Sequence, residues 1–322
     1  MARLLALLFV CALSLVHAQE RAPAYPSKPI RMIMPFSPGG GTDLVGRLLA
    51  KEMTESLGQA VVADNRTGAG GLIGIETAAR ANPDGYTVLF TNQSIATNES
   101  VYSKLKYNAL RDFAPVSRVG ELQFILAVNP ALPVASVKDL TAYVKARPGK
   151  LSYASGGLGG VLYFAMEMYK NLAGLDIVHV PYRGGGDAAT AVVANQVQTI
   201  FVSVPAGIAL IQAGRLKPLA ITGTARSKLA PDIPTMVEAG VAGYEFTVWN
   251  MMLAPAATPK PVLGRLHATI VKSLQSQALV DNLAKMGVLP GASASPAEAH
   301  QYFAAEVARY AKLVKQIGLK ID

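Results

Sequence analysis

The chain has 322 residues, 51% of them hydrophobic, and carries 30 lysines and arginines against 21 acids, a net charge of +9. The basic residues are scattered, with no run of five and no interleaved aromatics, which argues against nucleic acid and suits an anionic small ligand. The single cysteine, Cys11, falls in a leader segment, so disulfides, thiol catalysis and cysteine-ligated metal are not expected of the mature chain.

That leader is residues 1–18. Arg3 supplies its charge, Leu4 to Val16 its apolar core, and Val16-His17-Ala18 a small-residue cleavage site. The residues before Cys11 lack the small side chains of a lipid-attachment site. Export to a bacterial periplasm is the expected outcome, and no later segment reaches membrane-spanning length. From residue 19 onward there is enough chain for two lobes, each with its own core.

Short β-branched runs then alternate with amphipathic stretches, the pattern of βα units. Strands are expected at 29–36, 60–64, 86–91, 123–128, 151–154, 177–182, 198–203, 217–222 and 247–254. Helices are expected near 43–57, 72–81, 136–147, 160–173, 186–195 and 206–213. The tail reads as helical over 260–276 and 278–286, then from "SPAE", with Ser295 as cap and Pro296 in the first turn, to about Ile317.

Four strand-to-helix junctions are glycine-rich: "PFSPGGGTD" (35–43), "NRTGAGG" (65–71), "YASGGLGG" (153–160) and "PYRGGGD" (181–187). In a parallel sheet such junctions share the edge at the strands' carboxyl ends. Glycine lets a ligand approach the backbone, and a helix N-terminus offers unpaired N–H groups and a positive dipole end. Two junctions precede the middle of the chain and two follow it, as two facing lobes require. The pattern points to an anion-binding cleft; tight turns and close packing are the alternative use of the same glycines.

Enzyme signatures are missing. His179, His267 and His300 have no metal-ligand spacing, and Ser155 is preceded by Tyr153-Ala154, so the nucleophile elbow fails. "GGGTDLVG" lacks the dinucleotide spacing, and there is no phosphate-binding G-x-x-x-x-G-K-[ST]. No catalytic residue, metal or cofactor is expected.

The ordered motifs "YPSKPIRMIMPFSPGGGTDLVGRLLA", "DNRTGAGGLIG", "NPDGYTVLF", "DFAPVSRVG", "VPYRGGG", "LAITGTARS", "PDIPTMVEAGVAGYE" and "LAPAATPKPV" resemble the Bug-type extracytoplasmic receptors of tripartite tricarboxylate transporters. The likeness covers nearly the whole mature chain. It implies an α/β, two-lobed periplasmic-binding-protein fold, type II-like, each lobe a largely parallel sheet flanked by helices with the ligand cleft between. Lobe 1 would be discontinuous, 26–122 plus 248–322, and lobe 2 would be 123–247, with crossings near 120–125 and 245–250. The implied function is a monomeric receptor that closes on a small carboxylate and delivers it to integral-membrane permease subunits. A protein presenting its ligand to a signalling receptor, or an exported enzyme, are the alternatives.

The resemblance also places ligand-binding positions. The first loop offers Phe36, Ser37, Pro38, Gly39, Gly40, Thr42 and Asp43, with Phe36 and Pro38 as an apolar wall. Asp43, a carboxylate beside an anion site, either steadies the first helical turn or meets a ligand hydroxyl or amine. The third loop offers Ser155, Gly157, Gly159 and Gly160. It departs from relatives, which often place a hydroxyl residue at Gly160 and a histidine at Tyr163, while Val202 stands where many carry aspartate. These losses imply a less polar pocket and a carboxylate without an amine, aromatic or a longer diacid. Arg183 is a candidate partner for a second ligand carboxylate or for an ion pair, and Ser94 a candidate for the cleft mouth. Trp249 is expected either to sense lobe closure or to pack the crossing.

Overall fold

The structure is a computed structural model that describes residues 25–318 apart from 103, 224, 245 and 317. The expected leader lies outside the described residues. The chain begins with β1 (Ile30–Met34), α1 (Gly41–Leu57), β2 (Val61–Asn65), α2 (Leu72–Ala79), β3 (Thr87–Asn92), α3 (Ser94–Val101), α4 (Ala109–Asp112) and β4 (Phe113–Leu122). After Gln123 it continues with β5 (Phe124–Val128), α5 (Val137–Lys145), β6 (Ser152–Ser155), α6 (Val161–Ala173), β7 (Val178–Pro181), α7 (Gly185–Val193), β8 (Thr199–Ser203), α8 (Val204–Gln212) and β9 (Lys217–Ile221). It closes with β10 (Val248–Pro255), α9 (Lys260–Ser273), α10 (Gln277–Lys285), β11 (Val288–Pro290) and α11 (Pro296–Gln316).

These strands form two sheets. One has the order β11-β4-β10-β3-β1-β2, the other β7-β6-β8-β5-β9. Both are mixed: β1 pairs in parallel with β2 and β3, and β6 with β7 and β8, while β10, β11, β5 and β9 pair antiparallel. Parallel pairing is thus narrower than the sequence pattern implies, and the chain path gives the reason. Only Gln123 separates β4 from β5, so the chain runs straight from one sheet into the other. β10, returning to the first sheet between β3 and β4, then runs against both of them.

The sheets' central strands are covered on both faces. All eight residues of β10 and all five of β5 are buried, which is why β5 reads as an unbroken apolar run and β10 as one broken only at Asn250. Helix caps match the sequence signals at the tail: Ser295 Oγ accepts from Glu298 N at 3.1 Å, and Glu298 reaches back to Ala294 N at 3.1 Å. This is a reciprocal capping pair. Trp249 lies on β10 and is fully buried; its indole N–H donates to Glu306 on α11 at 2.8 Å, with Phe303 edge-on at 6.0 Å. It is a packing residue of the first sheet.

Behind the sheets, α6 packs back on the first sheet's helical layer. Phe164 of α6 stacks on Phe246 at 5.9 Å and meets Tyr310 of α11 edge-on at 5.6 Å. Tyr244 donates to the Ala165 carbonyl at 3.0 Å. On the opposite side the strand ends and their glycine junctions meet around a cleft.

Candidate functional site

The first junction, β1 to α1, is a tight turn. Gly40 N donates to Ser37 O at 3.3 Å, and Gly39 sits at φ +82, a conformation that favours glycine. The β6–α6 junction repeats it: Gly160 N donates to Gly157 O at 3.3 Å, and Gly159, the counterpart of Gly39, sits at φ +70. Gly40 (φ −71, ψ 158) and Gly160 (φ −75, ψ 168) are the N-caps of α1 and α6, nearly identical in conformation. The two loops are equivalents, one from each sheet.

Neither cap offers a side chain to the first-turn amides. The same holds for Gly71 at α2 and Gly184 at α7; at α8, Val204 N donates to the Gln123 carbonyl at 3.2 Å and Pro205 has no N–H, so little is left unpaired there. By contrast, α4, α5 and α10 are capped by Asn108, Ser136 and Ser276, none of which lines the cleft. Four helices therefore present uncapped N-termini to one space, where unpaired N–H groups and dipoles favour an anion.

That space is a cleft of about 850 Å³. Of the residues expected from the sequence, Phe36, Ser37, Gly39, Gly40, Thr42, Gly157, Gly160, Arg183 and Val202 line it. Phe36 and Val202 contribute to an apolar wall with Phe124, Leu158, Leu162 and Tyr182. Thr42 is held by Asn92, whose amide donates to its hydroxyl at 3.1 Å. Among the described residues Arg183 has no ion-pair partner; its carbonyl accepts from Ser37 Oγ at 3.2 Å, while Asp187, exposed in the first turn of α7, is the one acid lining the cleft.

Five expected residues lie off the lining. Pro38 is exposed on the outside of its turn. Asp43 is buried and fully engaged: it accepts from Gly39 N at 2.9 Å, Asn65 Nδ2 at 2.8 Å and Arg47 Nε at 3.0 Å. It braces the glycine turn against β2, so of its two readings the structural one fits the geometry. Ser94 is buried behind Asn92, and its backbone N–H donates to the Asn92 side chain at 3.0 Å. Gly159 is buried against α3, where an added Cβ would meet Tyr102 at 3.1 Å and Asn98 at 3.3 Å. Ser155 is fully buried, and its hydroxyl is 2.6 Å from His179 Nε2.

The Ser155–His179 contact was invisible in sequence because 24 residues separate the pair. It forms because β6 and β7 are parallel neighbours. The His179 ring lies between Tyr153 at 4.8 Å and Tyr163 at 4.7 Å. Burial holds its pKa down, from the usual 6.5 to about 4, against the pull of Glu167. Burial also pushes the Tyr163 hydroxyl up to about 12.

The second glycine junction of the sequence also lines the cleft, at Thr67–Gly71, and so do residues that no motif singled out, among them Tyr102, Phe124 and Leu162. Loops of the two sheets touch across it. Tyr102 donates to Leu158 O at 3.1 Å, and Thr97 to Gly159 O at 3.5 Å. A Cβ on Gly70 would fall 2.6 Å from the Leu158 carbonyl, so the approach there depends on glycine.

Comparison with known proteins places this geometry. The family described as tripartite tricarboxylate transporter family receptor, TctC, matches residues 45–319. The protein BugT of Bordetella pertussis is 36% identical, with the alignment spanning 100% of this chain and 99% of BugT. A structure from R. palustris solved with adipate is 33% identical and superposes with a TM-score of 0.88, covering 92% of this chain and all of that one. MatC from Rhodopseudomonas palustris, solved with bound malate, is 28% identical with a TM-score of 0.85, covering 90% of this chain and all of MatC. The chain belongs to the TctC family of tripartite tricarboxylate transporter receptors.

Proposed function

We propose that this chain is a periplasmic solute receptor that holds a small carboxylate between two lobes, built on residues 26–122 with 248–322 and on 123–247. The observation that carries the reading is the convergence of four uncapped helix N-termini, those of α1, α2, α6 and α7, on one cleft. Hydrogen bonds to a charged group contribute about 1.5–3 kcal/mol each, so three or four supply much of a micromolar affinity without a buried cation. Relatives that hold adipate and malate support the same ligand class.

The walls narrow the class. Phe36, Phe124, Leu158, Leu162 and Val202 suit an apolar middle, and Arg183 stands ready for a second carboxylate. The ligand is then a diacid with an apolar spacer or an aromatic acid, without an amine. Lobe motion would pivot at Gln123 and in the segment before Val248, as in hinge closure. Delivery to membrane permease subunits, by a monomeric receptor, completes the proposal; the family description, a receptor of tripartite tricarboxylate transporters, supports the delivery.

Isothermal titration with adipate, malate, benzoate, aspartate and glutamate tests the reading. It expects micromolar binding of a non-amino acid from this panel. Tighter binding of aspartate or glutamate, or no binding of any carboxylate, overturns it.

A further inference from the structure

Ser155 opens the β6–α6 glycine loop, yet its side chain points away from the cleft. Its hydroxyl accepts from Gly157 N at 3.2 Å, lies 3.2 Å from Gly157 O, and sits 2.6 Å from His179 Nε2. Gly157 lines the cleft at φ +121, with only Gly70 N and the Tyr182 carbonyl at the rim of contact with an added Cβ. So one hydroxyl joins an imidazole on β7 to the peptide groups that shape the loop.

We propose that Ser155 and His179 are positioning residues, a two-membered relay that fixes the Gly157 peptide groups in the shape that receives the ligand carboxylate. This deepens the carboxylate reading and rests on it. A serine hydroxyl has one proton. It takes the Gly157 N–H as acceptor and needs one further partner whose orientation is fixed. His179 supplies that partner from a half-buried ring flanked by Tyr153 and Tyr163, at 4.8 and 4.7 Å. Those walls are themselves anchored. Tyr153 donates to Glu167 at 2.6 Å, and Glu167 pairs with Lys170 at 2.8 Å.

The groups facing His179 are accounted for element by element. Glu167, Lys170 and Tyr163 belong to α6, while Tyr153 and Ser155 belong to β6. The Glu167–Lys170 pair leaves little net charge near the ring. Burial dominates, and His179 stays neutral to about pH 4. The relay is therefore constant across the pH range of the periplasm, in contrast to a free histidine that changes charge near 6.5.

The test compares Ser155→Ala, His179→Phe, His179→Gln and the Ser155→Ala/His179→Phe double variant, with adipate as probe in calorimetry and ¹⁵N–¹H NMR on the unliganded proteins. The relay predicts an affinity loss of about tenfold in each of Ser155→Ala and His179→Phe, the size of one lost hydrogen bond. It predicts no further loss in the double variant, because the two residues act through one link. His179→Gln, which keeps a polar atom near the Nε2 position, should return to within about threefold of wild type. In NMR, Ser155→Ala and His179→Phe should move the Gly157 amide resonance in the same direction, and the His179 ring should titrate near pH 4. Additive losses, an unmoved Gly157 amide, or a ring that titrates near 6.5 overturn the relay. If wild type binds no adipate, the carboxylate reading fails for that acid, and the Gly157 resonance and the ring titration still decide the relay.

Discussion

The hydroxyl of Tyr102, at the end of α3, donates across the cleft to the carbonyl of Leu158 in the glycine loop of the other sheet, at 3.1 Å. With Thr97 on Gly159 and Ser37 on Arg183, it is one of three polar contacts among the described residues through which the two cleft edges hold each other. Tyr102→Phe deletes this bond and keeps the ring. It should favour the open arrangement and weaken ligand affinity about three- to tenfold, the size of one net hydrogen bond. Small-angle scattering of the unliganded variant should show a larger radius of gyration; an unchanged radius and affinity would assign Tyr102 to packing alone.

Gly40→Val separates binding from folding. Gly40 has an ordinary φ of −71, and its added Cβ meets only Ser37 O, at 3.4 Å. The variant should fold, with a melting temperature within a few degrees of wild type, because β-region backbone suits valine. Its side chain crowds the first-turn amides of α1, so carboxylate affinity should drop at least about 100-fold, as expected from losing two hydrogen bonds to a charged group. Gly159 is a poor site for the same test: its φ is +70, and Tyr102 and Asn98 crowd the added Cβ, so valine there would disturb the loop itself.

Arg183→Met asks whether the ligand has a second acid group. Arg183 is exposed and lines the cleft. Its loss should weaken adipate about tenfold, at the low end for a charged hydrogen bond. Benzoate, with one carboxylate, should be unaffected. Equal losses for both acids would place Arg183 in the general field of the cleft instead.

Glu306→Gln should act on stability alone. Glu306 accepts from Trp249 Nε1 at 2.8 Å and takes both Arg309 nitrogens at 2.8 Å, beneath the first sheet. Weakening these bonds should cost about 1–3 kcal/mol in denaturant unfolding. Carboxylate affinity should stay within twofold, since none of the three residues lines the cleft.

His179 also makes a stability prediction. Its folded pKa lies below its unfolded value, so between about 4 and 6.5 the unfolded chain binds more protons. The contribution is fully present above pH 6.5 and is lost as the pH falls toward 4. Wild type should therefore lose melting temperature over that interval more steeply than His179→Gln. Parallel curves would mean that the ring is free to charge in the fold.

The βα rhythm and the glycine junctions were legible in sequence because each rests on local chemistry: β-branched runs, amphipathic spacing and glycine at strand ends. β4 was not. Its "FAPVSRVGEL" carries Pro115, Arg118, Gly120 and Glu121, which argue against a strand. Pairing with β10 along its length overrides that, and β11 covers only Gly120–Leu122, so Pro115 faces no strand on that side. α3 escaped for the opposite reason. "SIATNESV" is polar yet almost wholly buried, packed on α11, so no amphipathic stripe marks it. In the site, loop glycines could be named from the chain, whereas Tyr102 and the Ser155–His179 pair depend on tertiary neighbours. Position alone left Asp43 open to two readings, a brace of the first helical turn or a ligand contact; the hydrogen bonds from Gly39, Asn65 and Arg47 fit the brace.

The most direct test of the anion-site reading is a crystal structure of the protein saturated with adipate, or with the acid that titrates most tightly. The account predicts one ligand carboxylate on the backbone N–H groups at the starts of α1 and α6, with the second toward Arg183. A carboxylate held elsewhere, with those amides on solvent, would contradict it.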